Sequence, residues 1–296
     1  MTKYAINSSD CNYDYAFFAP LVSLLWHLRG YKSIVFFVGD VVKWYQKLQL
    51  RIILERTRET GAEIYFVSEI DGVRSSTIAQ VVRLFASSLT RFEKEDQLIT
   101  SDMDLFVLNS WIDDKYDLSK DVQLYYSNAY FNSSYLHWPM AYINAKAKIW
   151  REIVNCKEGC LQKDLVSVLE KAPKDYDVAW NFDERFFGKK LSEWSGYTTR
   201  VQFIDRTFVK GEWRLDRSGW DEGWKHLNGS LDGVADVHLL RPGYIESNWK
   251  RIRSVLELAL SPDMLKWVDD YYQEWCNVNE KHVDRSLACT NYKNNI

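Results

Sequence analysis

The feature that most constrains the fold is the alternation of apolar runs and amphipathic stretches over the first 110 residues. The run KSIVFFVGD, residues 32–40, has the unbroken apolar centre of a parallel strand buried on both faces of a sheet. Strands are also predicted at 3–8, at 62–69 and in the run that leads into Asp102, with helices at 16–30, 41–60 and 77–90. Such β-α repetition predicts an α/β protein with a Rossmann-like, mixed but mainly parallel central sheet flanked by helices.

Beyond residue 110 the pattern is less regular. Strands are expected at 121–131 and 137–145, a long helix at 148–172, a loop-rich stretch at 196–245, and helices at 246–260 and 262–280. No repeat or low-complexity linker divides the chain, so we predict one domain, 1–296, with a helical C-terminal end. Its last twelve residues are expected to fray.

Charge and composition argue against several classes of protein. A formal net charge of −3 gives no electrostatic reason to expect a nucleic-acid partner. Five cysteines without a metal-site spacing are typical of reduced intracellular thiols. We find neither a membrane span nor a signal-peptide pattern, and therefore expect a soluble, cytoplasmic protein.

Aromatic residues make up 15% of the chain, roughly twice ordinary usage. Aromatic rings fill hydrophobic cores, and they also pack against the apolar faces of sugars. The composition leaves both roles open.

Asp102 and Asp104 follow the apolar run of the fourth predicted strand, in ITSDMDLFVLN. In a strand, residues two apart share a face, and ligands of open parallel sheets bind outside the carboxyl ends of the strands. Two adjacent carboxylates repel each other, and a divalent cation such as Mg²⁺ or Mn²⁺ removes that repulsion. The alternative is a solvated strand end, which is how we interpret the second Asp-x-Asp, at Asp175 and Asp177.

The strand YAINSS, the helix segment IAQVVRLF with Arg83, and ITSDMDLFVLN together resemble GT-A glycosyltransferases that carry an Asp-x-Asp motif. Within that fold the chain is similar to small nucleotide-sugar transferases of large algal viruses, over residues 3–245. The resemblance implies a nucleotide-sugar donor, commonly a UDP-sugar, held through Mn²⁺ or Mg²⁺, and a glycan acceptor. It divides the domain into a nucleotide-binding half (1–110), an acceptor-side half (111–245) and C-terminal helices (246–296).

The resemblance also assigns residues to the donor nucleotide: Asn7, Ser8, Ser9, Arg83, Asp102, Met103 and Arg241. From the residues alone, Arg83 could equally be a surface residue of its helix. Ser8 and Ser9 could equally cap the turn that follows them.

The segment GVADVHLLRPGY, residues 233–244, resembles the C-terminal His-x-x-Gly-x-x-Lys-Pro pattern of retaining enzymes related to glycogenin. The resemblance implies that His238 is a third metal ligand beside Asp102 and Asp104, and that Arg241 holds the diphosphate. The spacing here is shorter, the glycine is missing, and arginine replaces lysine. A histidine satisfied within the core is the alternative for His238.

Asp183 and Glu184, in DVAWNFDERFFGKKL, lie among aromatic residues and are the predicted catalytic carboxylates. An inverting transferase needs a carboxylate base for the acceptor hydroxyl, whereas a retaining one needs a group beneath the anomeric carbon. Both outcomes stay open, with retention favoured by the pattern at His238 and Arg241. The alternative is a pair of acids that favours the helix dipole.

Four further residues are predicted to contact the donor sugar or the acceptor: His137, Trp138, Asn144 and Trp180. Plain packing explains the Trp-Pro pair at 138 equally well. The stretch 207–230 is a candidate lid in which Lys210, Arg214 and Arg217 would reach phosphates. A solvated loop face is the simpler interpretation of those three residues.

The function predicted from the sequence is therefore metal-dependent transfer of a sugar from a nucleotide-sugar donor to a glycan, with retention of the anomeric configuration as the favoured outcome. One alternative is a non-catalytic carbohydrate-binding or scaffold protein on the same fold. The other is a haloacid-dehalogenase-type phosphatase, whose nucleophile also lies in an Asp-x-Asp. That family places a small residue where this chain has Phe106, and places the motif after the first strand.

Overall fold

The computed structural model describes residues 1–114, 117, 119–130, 136–172, 180–205, 213–221 and 230–282. Three features of the sequence analysis lie outside these residues: the second Asp-x-Asp at Asp175 and Asp177, most of the candidate lid at 207–230 including Lys210, and the last twelve residues.

The strands form two sheets. In chain order they are β1 (Lys3–Ser9), β2 (Lys32–Val38), β3 (Glu63–Val67), β4 (Gln97–Thr100), β5 (Leu105–Val107), β6 (Val122–Tyr125), β7 (Ile143–Lys146), β8 (Val201–Ile204), β9 (Trp213–Leu215) and β10 (Val234–His238). In the described residues the larger sheet has the order β3-β2-β1-β4-β7-β6-β8. Only β7 runs antiparallel to its neighbours there, so the expected mainly parallel sheet is confirmed.

Helices cover both faces of this sheet. They are α1 (Tyr13–Ala16), α2 (Ala19–Leu28), α3 (Val41–Gln46), α4 (Leu48–Glu59), α5 (Ser75–Val82), α6 (Trp111–Asp114), α7 (Ala147–Val154), α8 (Leu161–Leu169), α9 (Phe182–Glu193), α10 (Tyr197–Arg200), α11 (Glu246–Ala259) and α12 (Pro262–His282). Alternate residues of β2 enter opposite cores: Val35 and Phe37 pack with α2, α4 and α12, whereas Ile34 and Phe36 pack with α5, α7 and α9. This two-residue period explains the unbroken apolar run.

Several predicted elements are shorter in the structure. The helix expected at 41–60 breaks at Lys47, whose backbone is extended, and the one at 148–172 breaks at Asn155, whose φ is 54°. The strands expected at 121–131 and 137–145 reduce to β6 and β7, because Tyr126 and Tyr142 have φ of 56° and 94°, which a strand does not accommodate. The two C-terminal helices are confirmed as α11 and α12. None of the described helices combines the length and apolarity needed to cross a bilayer.

A second sheet has the order β5-β10-β9, and two of its strands, β9 and β10, lie in the stretch 196–245 that we expected to be loop-rich. Strand β10 pairs antiparallel with β5, with His238 opposite Leu105, and the Leu239 N–H donates to the Asp104 carbonyl at 2.8 Å. Because β5 begins directly after the Asp-x-Asp, this pairing brings His238 to Asp104 across more than a hundred residues of chain.

Candidate functional site

The two aspartates of the Asp-x-Asp lie in a turn, not on a strand. Strand β4 ends at Thr100 and β5 begins at Leu105, so the expectation that Asp102 and Asp104 project from one strand face is wrong. The turn frees each carboxylate to take its own partners, and Met103 between them is buried.

A cavity of about 320 Å³ opens beside this turn, at the carboxyl ends of β1 and β4. This is the edge at which ligands of parallel sheets bind. Most of the predicted site residues line it: Ser8, Ser9, Arg83, Asp102, Met103, Asp104, Trp180, Asp183, Glu184, His238 and Arg241. Tyr15, Tyr130, Asn181 and Arg217 are further lining residues.

Arg83 connects the turn to α9. Its guanidinium donates to Asp102 at 2.5 Å and to Asp183 at 3.1 Å, and to the Ser101 carbonyl at 3.0 Å. Arg83 is buried, so the surface-helix alternative is wrong. Burial raises the pKa of Asp102, but the charge and hydrogen bond of Arg83 outweigh burial and lower it.

Three basic side chains lie around Asp104. We call this group the arginine wall, which consists of Asp104, Arg217, His238 and Arg241. Arg217 donates a hydrogen bond to Asp104, the Arg241 Nε lies 3.2 Å from the same carboxylate, and His238 Nε2 lies 3.5 Å from it. The Arg241 guanidinium also stacks over the Tyr15 ring at 4.2 Å. His238 and Arg241 thus both lie beside the second aspartate of the Asp-x-Asp, as the resemblance to retaining enzymes implied.

His238 is held through both its ring and its backbone. Its Nδ1 lies 3.1 Å from Asp216, and the Trp220 indole donates to the His238 backbone carbonyl at 2.8 Å. Burial lowers the pKa of His238, whereas its contacts with Asp104 and Asp216 outweigh burial and raise it. The 2.6 Å contact between Nε2 and Arg217 Nη2 belongs to the neutral ring, whose proton then lies on Nδ1 toward Asp216, because two N–H groups would repel each other there. The side chain is 26% exposed and lines the cavity, so the core-histidine alternative does not describe it.

The donor set of Asp102, Asp104 and His238 suits a divalent cation chemically, because oxygen and imidazole ligands fit Mn²⁺ and Mg²⁺. Its present arrangement does not form a metal centre, and the described residues include no group of three acidic, Cys or His side chains placed to hold a metal ion. Arginines neutralise the carboxylates here. The nitrogen Nη2 of Arg217 contacts both Asp104 and His238, and lies 2.6 Å from His238 Nε2.

The first turn of α9 forms the other wall, the carboxyl wall, which consists of Asp183, Glu184 and Tyr130. Tyr130 donates to Glu184 at 3.0 Å and stacks on the His137 ring at 4.1 Å between centroids. Burial raises the pKa of Glu184 to about 8, and the charge of Asp183 adds to the effect. Burial also raises the pKa of Asp183, which the charge of Arg83 offsets only in part.

Helix α9 is held close to the chain that carries His137. A Cβ added at Gly188 would lie 2.2 Å from the Leu136 carbonyl oxygen, so only glycine permits this approach. The packing places His137 Nε2 4.0 Å from Glu184. His137 therefore lies behind Glu184 and Tyr130 rather than on the cavity surface.

Among the described residues, four predicted contacts do not line the cavity: Asn7, His137, Trp138 and Asn144. Asn7 is fully buried in β1 and Asn144 is 2% exposed in β7, so a ligand in the cavity cannot reach either as the structure stands. Trp138 packs against Tyr197 and Phe203.

Sequence reasoning missed Tyr130, Asp216 and the position of Arg217. Tyr130 fell within a predicted strand, where an aromatic residue carries no signal. Asp216 caps the 3-10 turn Arg217–Gly219 by accepting the Arg217 N–H, a role that LDRSG signals. Arg214 is not a phosphate contact as the structure stands, because it forms a buried pair with Asp236 at 2.6 Å.

Comparison with known proteins gives a likeness of structure only. No family model matches the sequence, and no curated protein matches it. Among solved structures, the chain is similar to the glycosyltransferase GlyE of Streptococcus pneumoniae TIGR4, with 16% identity, a TM-score of 0.46 and coverage of 94% of this chain. It spans 64% of the length of GlyE.

Two further solved structures are similar over most of both chains. The galactosyltransferase LgtC, in complex with donor and acceptor sugar analogues, shares 13% identity over 90% of this chain and 99% of its own, with a TM-score of 0.44. A glycosyltransferase involved in glycosylation of the major capsid of PBCV-1 shares 11% identity over 85% and 97%, with a TM-score of 0.40. All three are glycosyltransferases, and at these values the likeness decides nothing about activity, substrate or metal.

Proposed function

We propose that this protein transfers a sugar from a nucleotide-sugar donor, with a UDP-sugar as the first candidate, to a hydroxyl group of a glycan. The observation that carries the proposal is one cavity with two chemically different walls. Arg217 and Arg241 suit the oxygens of a diphosphate, because guanidinium groups fork onto phosphate. The carboxyl wall supplies an acid beside the position that a transferred sugar would take.

On the donor side, Ser8 and Ser9 at the end of β1 would contact the nucleoside, and the arginine wall would bind the diphosphate. Asp102, Asp104 and His238 would hold Mn²⁺ or Mg²⁺ in the loaded enzyme. Such an ion neutralises charge on the leaving diphosphate. Arg83 would act by positioning, since it ties the turn at Asp102 to Asp183 on α9.

On the acceptor side, Glu184 is the carboxyl group that we assign to catalysis. Asp183 is tied up by Arg83, whereas Glu184 bonds only to a neutral hydroxyl group among its described hydrogen bonds and has one oxygen without a partner. In its ionised form Glu184 would stabilise positive charge at the anomeric carbon. We propose that the transfer retains the anomeric configuration, which is supported by the contacts of His238 and Arg241 with Asp104.

Trp180 would bind the acceptor glycan. Its ring is 40% exposed at the cavity rim, and Gln80 holds its backbone carbonyl at 2.9 Å. An exposed indole beside a polar cavity suits the apolar face of a sugar ring.

The test is calorimetric titration of UDP, GDP and UDP-glucose into the protein, with Mn²⁺ and with EDTA, beside a Glu184→Gln variant. We expect one nucleotide to bind the wild type and Glu184→Gln alike, and product formation from a matching sugar donor to fall only in the variant. Product anomers read by NMR report retention or inversion.

Two outcomes would point elsewhere. If no nucleotide binds in either condition while a glycan does, the chain is a carbohydrate-binding protein. If it releases phosphate from sugar phosphates and an Asp102→Asn variant abolishes that release, the phosphatase interpretation holds instead.

A further inference from the structure

Arg217 is fixed in the cavity more firmly than a surface arginine would be. Its backbone N–H donates to Asp216 at 2.7 Å, and its Nε donates to the Leu239 carbonyl at 2.9 Å. Asp216 also contacts His238 Nδ1 at 3.1 Å, so Arg217 and His238 share one support.

The guanidinium group of Arg217 lies against two side chains of the kind that bind metal ions, Asp104 and His238. The Asp104 Oδ2 and His238 Nε2 atoms are 3.5 Å apart, and Arg217 Nη2 contacts both. Two cis ligands of an octahedral cation at about 2.1 Å are about 3 Å apart, so this pair of atoms needs little movement to share an ion. A guanidinium nitrogen and a divalent ion cannot both occupy the space between them.

The wall contains a second cation in reach of the same anion. Arg241 Nε lies 3.2 Å from Asp104, and the Arg241 side chain is 23% exposed toward the cavity. Arg217 is 30% exposed there. A diphosphate in the cavity therefore has two guanidinium groups within reach of its oxygens.

We infer that Arg217 is a tethered substitute for the divalent cation of this site. It occupies the position between Asp104 and His238, lets a nucleoside diphosphate bind the metal-free protein through Arg217 and Arg241, and competes with a metal ion for that position. The inference rests on the proposed function as regards the diphosphate, but the competition with metal does not depend on it.

The first test measures metal alone. Mn²⁺ is titrated into the wild type, Arg217→Ala and Arg217→Ala/Asp104→Asn, with free Mn²⁺ followed by electron paramagnetic resonance. We expect Arg217→Ala to bind Mn²⁺ at least tenfold more tightly than the wild type, and the double variant to lose that gain. Equal Mn²⁺ affinity in the wild type and Arg217→Ala would overturn the inference.

The second test measures a nucleotide without metal, with UDP and GDP as probes in EDTA. We expect the wild type to bind one of them and Arg217→Ala to bind it at least tenfold more weakly, with Mn²⁺ restoring the affinity of the variant. If Arg217→Ala leaves metal-free nucleotide binding unchanged, Arg217 does not substitute for the cation.

Two controls separate misfolding and failure of the proposed function from failure of this inference. Arg251→Ala removes an arginine that pairs with Asp221 at 2.8 Å outside the cavity, and should change neither measurement. Arg217→Lys keeps a cation without the fork, and should retain a wild-type Mn²⁺ affinity to within a few fold. If no nucleotide binds under any condition, the proposed function fails, and the Mn²⁺ titration still decides the position of Arg217.

Discussion

The two walls of the cavity treat the same kind of side chain in opposite ways. Near the arginine wall, Arg83 lowers the pKa of Asp102, and His238 lowers the pKa of Asp216. On the carboxyl wall, burial raises the pKa of Asp183 and of Glu184. The difference comes from burial and partners together: Asp183 is 3% exposed and shares Arg83 with Asp102, and among the described residues Glu184 hydrogen-bonds to the neutral Tyr130, so in both groups the cost of burying a charge prevails.

Under the proposed function, this contrast gives each wall a different task. Carboxylates that stay ionised arrange cations, whether arginine or metal, for an anionic ligand. A carboxyl group with a pKa of about 8 is near the value at which it can accept or hold a proton during a reaction at neutral pH. The predictions below test whether the walls differ in this way, from the largest expected effect to the smallest.

The largest effect is expected on turnover. Glu184→Gln keeps the shape of the side chain and its contact with Tyr130 but removes the ionisable group. We expect turnover of the proposed transfer to fall by about 10²–10⁴-fold with UDP affinity unchanged. Steady-state kinetics with calorimetry measures both quantities, and a loss confined to KM would mean that Glu184 only binds the acceptor.

The next effect concerns the link between the walls. Arg83→Ala leaves Asp183, which is 3% exposed, buried without its cation. We expect the free energy of unfolding to fall by about 3–5 kcal/mol, as for other buried ion pairs that lose one partner. Urea denaturation measures the loss.

A matched double variant sharpens that result. Arg83→Ala/Asp183→Asn removes the stranded charge, so it should recover part of the lost stability. If it recovers none, the cost lies in the packing of Arg83 rather than in the ion pair.

The third effect is the pH dependence of stability. The pKa of Glu184 is raised from 4.5 to about 8 in the folded protein, so between these values the folded state binds more protons than the unfolded state. Stability from this group is fully present below about pH 4.5 and is lost as the pH rises through about 8. We expect the wild type to lose about 4 kcal/mol relative to Glu184→Gln between pH 5 and pH 9.

Denaturation of both proteins across that range measures the difference. Parallel pH profiles would show that Glu184 has an ordinary pKa, and the contrast between the walls would then disappear.

The smallest effect is expected at the rim. Trp180→Ala removes a ring that is 40% exposed and should weaken glycan binding by at most about tenfold, which corresponds to about 1.4 kcal/mol or less. The donor side should not respond. An equal loss of UDP affinity would place Trp180 at the nucleotide instead.

Some of this site followed from local patterns. The unbroken run at Ile34–Val38 identified a strand buried on both faces, and Asp102 and Asp104 after a strand predicted a ligand site at its carboxyl end, which is where the cavity lies. Other parts did not follow, because they depend on contacts distant in sequence. The burial of Arg83 needs Asp102 and Asp183 together, and the positions of Arg217 and His238 need the pairing of β5 with β10.

The sequence by itself determined the class of fold and which residue types could do chemistry, since hydrophobic periodicity and side-chain chemistry are local properties. Only the tertiary structure decided how those residues are partnered. It separated Asp102 from Asp104 by ending β4 at Thr100, set an arginine between Asp104 and His238, and, within the described part of the chain, gave Glu184 a tyrosine rather than an arginine or lysine as its hydrogen-bond partner. Partnering sets the charge of a buried group, because charge–charge interactions across a low-dielectric cavity depend on distances that no local pattern encodes.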